Sequence, residues 1–291
     1  HPERKERIGS ILESIEQIKD FEINFKDAPL ADIETISLIH PKKHIEKIFS
    51  NIPKLGLIGV EKEPYADTML CPNSKKAILR SCGAGIAAAD DLIKKNERVF
   101  CAIRPPGHHA ETTKAMGFCF INNIAVTAKY LQNKYKVNKI AIIDFDVHHG
   151  NGTQEIFYND ETVLYASSHE FPLFPGTGSE QETGVGNIFN APLKTGMKGK
   201  EFLKILDQKI LRPIDKFKPE IILISAGFDA HARDPLANIK LESEDFYQIT
   251  KQIVDLAYIH SKGRVISFLE GGYDLLALSE SIKQHLLALK N

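Results

Sequence analysis

Ile140-Ala141-Ile142-Ile143-Asp144-Phe145-Asp146-Val147-His148-His149-Gly150-Asn151-Gly152 is the stretch that decides the fold. Its first four residues are apolar, mostly β-branched and without polar alternation, which predicts a short strand buried on both faces, as in a parallel sheet. Apolar character stops at Asp144, and a polar, glycine-bounded loop follows. In open parallel sheets ligands bind beyond the carboxyl ends of the strands, so the same stretch predicts where a site would lie.

Working outward, the pattern repeats at Val99 to Ile103, Val163 to Ala166, Ile221 to Ile224 and Val265 to Leu269. Between the strands, Ile121 to Leu131, Phe202 to Phe217 with an interruption at Pro213, and Phe246 to Ile259 closed by Gly263 carry helical spacing, as does a final stretch from Leu278 to Leu289. Parallel strands with helical crossovers follow. Upstream, Ile8, Ile11, Leu12, Ile15 and Ile18 predict a first helix, and an alanine-rich helix runs from an N-cap at Ser74 to Lys95. In that helix Gly83 and Gly85 would permit close packing. Residues 20–73, apart from a short helix near His44 to Phe49, read as rim loops broken by Pro41, Pro53, Pro64 and Pro72. With no repeat and no Gly/Ser linker, residues 1–291 are expected to form one α/β domain, a parallel sheet flanked by helices.

The composition is that of a globular protein: 43% hydrophobic and 26% charged residues, with a net charge of −1. That balance argues against nucleic-acid binding, and no apolar run is long enough to predict a membrane span. Cys71, Cys82, Cys101 and Cys119 form no C-x-x-C pair, so reduced thiols and a cytoplasmic location are expected.

Six of the 11 histidines fall in the loops after the strands. In extended backbone alternate side chains share a face, so Asp144, Asp146 and His148 can aim at a common point. Carboxylate and imidazole donors without thiolates suit Zn²⁺, Fe²⁺ or Mn²⁺ at an open site. A blander reading makes the two aspartates helix caps and His148 a core histidine, but it leaves Asp229 and the other histidine pairs at equivalent strand ends unexplained. Arg104-Pro-Pro-Gly107 can hold His108 and His109 rigidly as acid and base, and Tyr273, after two glycines, can donate to an oxyanion. For Phe118 and Phe174 alone, core packing is the simplest reading.

Arg104-Pro-Pro-Gly-His-His109, Gly117-Phe-Cys-Phe120, Asp144-Phe-Asp-Val-His-His-Gly-Asn-Gly-Thr153, Phe174-Pro-Gly-Thr-Gly178, Ala226-Gly-Phe-Asp-Ala-His231 and Leu269-Glu-Gly-Gly-Tyr273 together resemble the zinc-dependent histone deacetylase family, in the same order and across nearly the whole chain. The resemblance implies the arginase/deacetylase fold. Asn151, where class I members carry Asp, resembles the class II branch. His1-Pro2-Glu3-Arg4 is similar to a family segment that usually follows an N-terminal strand and loop, so those upstream elements are expected to lie outside this sequence.

The resemblance further implies that Asp146, His148 and Asp229 hold one zinc, with Fe²⁺ as an alternative, and that His109 is the proton-transferring base backed by His108. Asp144 would partner His108, Asn151 would partner His109, and Tyr273 would stabilise the oxyanion. Gly117, Phe118 and Phe174 would line an acyl-lysine tunnel with Leu236 at its rim. Structural potassium is implied near Asp144, Asp146, His148 and Ser167. The implied substrate is an acyl-lysine protein or peptide.

Three rivals are weighed. A dinuclear manganese amidinohydrolase would need a second carboxylate beyond Asp229, where Ala230 and His231 stand. A silent acyl-lysine reader would lack Tyr273. An acetylpolyamine hydrolase would carry a Glu where this chain has Leu236, unless Asp67 or Glu170 took its place at the rim.

Overall fold

The structure is a computed structural model describing residues 1–19, 21–61 and 67–290; Pro64, one of the expected breaks, lies outside them. Helices α1 (Glu6–Glu16), α2 (Ile33–Ile36) and α3 (Lys42–Ser50) are followed by a small hairpin of β1 (Ile58–Gly59) and β2 (Met69–Leu70). Helix α4 (Ser74–Lys95) leads into β3 (Val99–Cys101), α5 (Asn123–Tyr135), β4 (Ile140–Asp144), α6 (Asn151–Phe157), β5 (Val163–Glu170) and β6 (Ile188–Leu193). A helical stretch of α7 (Gly199–Ile205), a π-helical segment (Leu206–Leu211) and α8 (Arg212–Phe217) precedes β7 (Ile221–Ala226). Helix α9 (Ser243–His260), β8 (Val265–Leu269) and α10 (Leu275–Lys290) complete the chain.

Strands β3 to β8 form one parallel sheet in the order β3-β8-β7-β4-β5-β6. From β4 the chain moves outward through β5 and β6, then returns to lay β7 and β8 on the other side of β4. The winding direction thus reverses between β4 and β7, and at such a switch point the loops diverge and leave a crevice. Asp144 sits beside Ser225 of β7 and Ser167 of β5. Every residue of β4, β5, β7 and β8 is buried, the expected consequence of helices covering both faces.

Five of the six strands of the parallel sheet were legible as apolar runs, but β6 was not, nor was the β1–β2 hairpin within the stretch read as rim loops. The β6 sequence, Ile-Phe-Asn-Ala-Pro-Leu, contains Pro192, which lacks a donor for a second neighbour and is tolerated because β6 is an edge strand. Helix α4 has Asn73, not Ser74, at its N-cap position; Ser74 is its first helical residue, and its Oγ accepts the Cys71 N–H at 2.8 Å. Close packing of that helix is confirmed: a Cβ at Gly83 would lie 2.0 Å from Pro29 O, and one at Gly85 2.1 Å from Thr127 Oγ1. The interruption expected at Pro213 takes the form of the π-helical segment just before it, which eases the clash a proline makes with the preceding turn. No helix among the described residues is long and apolar enough to cross a membrane.

Candidate active site

The loops after β3, β4, β7 and β8 meet at the switch point. Helix α6 shows how local sequence places the first pair. The N–H groups of Gly152 and Thr153, unsatisfied within the helix, both donate to His108 O at 3.1 Å, which draws the Arg104–His109 loop onto the helix start. Only glycine permits this approach, since a Cβ at Gly152 would lie 2.3 Å from Ala110 O. As a result His109 lies beside Asn151, whose Oδ1 is 2.8 Å from His109 Nδ1, and His108 Nδ1 lies 3.1 Å from Asp144 Oδ2. The two rings are 4.0 Å apart between centroids.

The environments of the two histidines differ sharply. Burial pulls His108 down, but Asp144, Asp146 and Glu270 outweigh it and raise its pKa to about 10. Burial, with the positive charge of His108 added, drives His109 well below the usual value. Neighbouring imidazoles pushed apart in this way are suited to different roles.

Asp146, His148 and Asp229 each offer a ligand atom, and these atoms lie within 4.8 Å of one another. His148 Nδ1 is 3.2 Å from Asp146 Oδ1 and 3.1 Å from Asp229 Oδ2. Backbone N–H groups orient the carboxylates: Gly271 donates to Asp146 Oδ2 at 2.7 Å, His148 to Asp146 Oδ1 at 2.9 Å, and Val147 to Asp229 Oδ1 at 3.0 Å. A Cβ at Gly227 would meet Asp146 Oδ2 at 2.1 Å, and one at Gly271 would meet Asp229 Oδ2 at 2.0 Å, so both glycines make room for the pair. Burial and the charge of Asp146 push Asp229 up. Two fully buried carboxylates facing one imidazole are the donor set and charge imbalance that a divalent cation fits. Asp144, expected on the same face, instead accepts from Tyr165 Oη at 2.9 Å and pairs with His108.

Tyr273 follows Gly272, whose φ of 117° favours glycine. Burial pushes the phenol well above its usual pKa, with Arg7 opposing and Asp229 and Asp146 adding to the rise, so it is an O–H donor at neutral pH. Phe118 packs edge-on against Tyr273 at 5.9 Å, and Phe174 packs edge-on against His109 at 5.1 Å. Gly117, at φ 56°, comes so close that a Cβ would lie 2.4 Å from His109 Cδ2. Leu236 is 36% exposed, and its N–H donates to Asp234 Oδ1. Of the two alternative rim carboxylates, Glu170 is occupied by its neighbours, whereas Asp67 stands next to Thr68, whose Oγ1 accepts the Phe118 N–H at 3.0 Å. Glu170 is buried and accepts from Thr195 Oγ1, Asn238 Nδ2 and Asn238 N; Asp67 accepts from Thr68 Oγ1.

Three residues of the site were not anticipated. Arg7, fully buried on α1, donates from Nε to Gly272 O at 2.7 Å and from Nη2 to Glu270 O at 2.5 Å. Its signal was present: it occupies the apolar stripe it shares with Ile11 and Ile15. Glu270, its pKa raised by burial to about 7, accepts from Gly107 N, His108 N and Ser225 Oγ and so pins the histidine loop. Glu111 accepts from Asn151 Nδ2 at 2.8 Å.

The chain matches the family profile described as Histone deacetylase domain over residues 1–289. It is 37% identical over 302 residues to "Histone deacetylase 10, chloroplastic" of Oryza sativa subsp. japonica, covering 97% of this chain and 68% of that protein. It is 36% identical over 282 residues to "Probable deacetylase" of Archaeoglobus fulgidus, covering 94% and 77%. A crystal structure of the HDA15 HD domain superposes with a TM-score of 0.92 at 31% identity, covering all of this chain and 83% of that one.

Proposed function

The chain belongs to the histone deacetylase family of hydrolases, and from that premise we propose that it removes acetyl or other acyl groups from lysine side chains of proteins or peptides at one divalent-metal centre. The observation that carries the reading is the convergence of Asp146, His148 and Asp229, with the His109 ring 6.1 Å from that of His148. These three residues would hold zinc, or iron in its place. A divalent ion held there would supply Lewis-acid polarisation of the acyl carbonyl and a more acidic water.

His109, with Nδ1–H committed to Asn151 Oδ1, accepts the water's proton at Nε2 and returns it to the departing lysine amine. His108, paired with Asp144, backs that transfer. Tyr273 donates its O–H to the developing oxyanion. Phe118 and Phe174 flank the lysine stem, keep water from it and, with Gly117, define a narrow approach. Structural potassium would fall where Asp144 and Ser167 stand side by side, near Asp146 and His148. Asn151 supports a class II-like assignment, and four free cysteines support a reducing, cytoplasmic setting.

The rival readings have less support. His231, next to the position a second metal would need, is taken up by Ser243 Oγ and the Arg233 N–H. Tyr273 argues against a silent reader, and Leu236 against a polyamine enzyme. The test is acyl release from acetyl-lysine and longer acyl-lysine peptides by zinc-loaded protein. Turnover lost in Asp229→Asn supports the reading; no turnover on any acyl-lysine peptide, with hydrolysis of acetylspermidine instead, overturns it.

A further inference from the structure

An asparagine amide is a two-ended group: Oδ1 only accepts and Nδ2 only donates, and a half-turn exchanges them. With Oδ1 toward His109, the imidazole carries its proton on Nδ1 and leaves Nε2 open. With Nδ2 there instead, Nδ1 becomes the acceptor, the proton moves to Nε2, and the base is blocked. Asn151 is therefore a useful partner only if something decides which end it presents.

The structure contains that device. Asn151 Nδ2 donates to Glu111 Oε1 at 2.8 Å and also approaches Met116 Sδ at 3.4 Å. A carboxylate accepts and cannot donate, so Glu111 can face only the Nδ2 end; the flipped amide would set Oδ1 against its negative charge. Glu111 is held for this by a backbone bridge in which its N–H donates to Lys114 O at 3.0 Å. It is half-buried and lines a cavity of about 420 Å³ with Asn151, Gln154, Glu155 and Thr177, so its side chain can be replaced without opening the core.

We propose that Glu111 is a positioning residue that locks the Asn151 amide and thereby selects the His109 tautomer whose Nε2 can accept a proton. This rests on the reading of His109 as the base of the acyl-lysine hydrolysis. It also explains why an amide at residue 151 is workable: a carboxylate there would present acceptors at both ends and need no such lock.

The test is a cycle of Glu111→Leu, Asn151→Asp and the double variant in zinc-loaded protein. Kinetics on an acetyl-lysine peptide are read together with ¹⁵N chemical shifts of labelled histidine rings, His109 being assigned by its loss in His109→Gln. Glu111→Leu alone should keep its metal and KM, lose about tenfold in kcat, and show a second His109 tautomer. In the Asn151→Asp background the sign should reverse, because Glu111 there faces a like charge and its removal restores activity. An equal loss in both backgrounds, or an unchanged His109 spectrum in Glu111→Leu, overturns the proposal. Should the wild type fail to cleave any acyl-lysine peptide, the functional reading fails and the ¹⁵N spectra alone decide the role of Glu111.

Discussion

The buried guanidinium of Arg7 lies 5.0 Å from the centre of the Tyr273 ring while its N–H groups hold the carbonyls of Glu270 and Gly272 on either side of the turn that presents the phenol. A helix more than 260 residues away in sequence therefore fixes the turn that carries the Tyr273 phenol. Arg7→Met keeps the stem but leaves both carbonyls unpaired. At about 1–3 kcal/mol per unmet buried group, it should cost about 3 kcal/mol and roughly 5 °C in Tm, with kcat reduced as well. Calorimetry and steady-state kinetics check this, and a variant with wild-type Tm and kcat would show that the clamp is dispensable.

Tyr273→Phe should fold and load metal normally yet lose roughly 10²–10³ in kcat, the usual cost of removing one oxyanion donor. Metal analysis and kcat on an acetyl-lysine peptide decide it. A kcat within a few-fold of wild type would remove Tyr273 from the chemistry.

Two buried histidines outside the candidate metal ligands, His40 and His285, should lower stability in acid. His40 Nδ1–H donates to Thr112 O and its Nε2 accepts from the Asn122 N–H, which fixes the neutral ring; burial, with His44 adding, depresses its pKa to about 3. His285, between Thr250 and Ser267, is likewise brought by burial to about 3. Both bind a proton more readily when unfolded, near pH 6.5. Their neutral rings therefore cost nothing above that pH, and stability falls as pH drops from 6.5 toward 3, by about 1.4 kcal/mol per pH unit for each. Urea unfolding at pH 7 and pH 5 should show a marked loss that His285→Gln lessens. A profile that His285→Gln leaves unaltered would contradict the assignment.

Leu236→Glu tests the substrate. With an apolar rim residue, wild type should have higher kcat/KM for acetyl-lysine peptides than for N8-acetylspermidine, and the variant should narrow that gap by offering a counter-charge to the distant ammonium. Wild-type preference for acetylspermidine would show that residue 236 does not decide the substrate.

Much of this was legible in the chain because burial on both faces writes strands as apolar runs, and because the candidate metal donors cluster where those runs stop. The first metal-directed group, Asp144, Asp146 and His148, could be read from two-residue spacing, although Asp144 turned out to serve His108. Asp229 needed the family resemblance. Edge strand β6 hid behind Asn190 and Pro192, and α6 behind Gly150 and Gly152, since neither needs an apolar face or strong propensity when its neighbours hold it. Glu111, Glu270 and Arg7 could not be paired with their partners, because those contacts span 40 to 265 residues and leave no periodic trace.

The most direct test of a mononuclear hydrolytic centre is a titration: strip the protein with chelator, add zinc in fractional equivalents, and follow acetate release from an acetyl-lysine peptide. Activity should rise linearly and level off at one equivalent per chain, and Asp229→Asn should stay inactive throughout. Saturation at two equivalents, or full activity in the stripped protein, would contradict a single centre held by Asp146, His148 and Asp229.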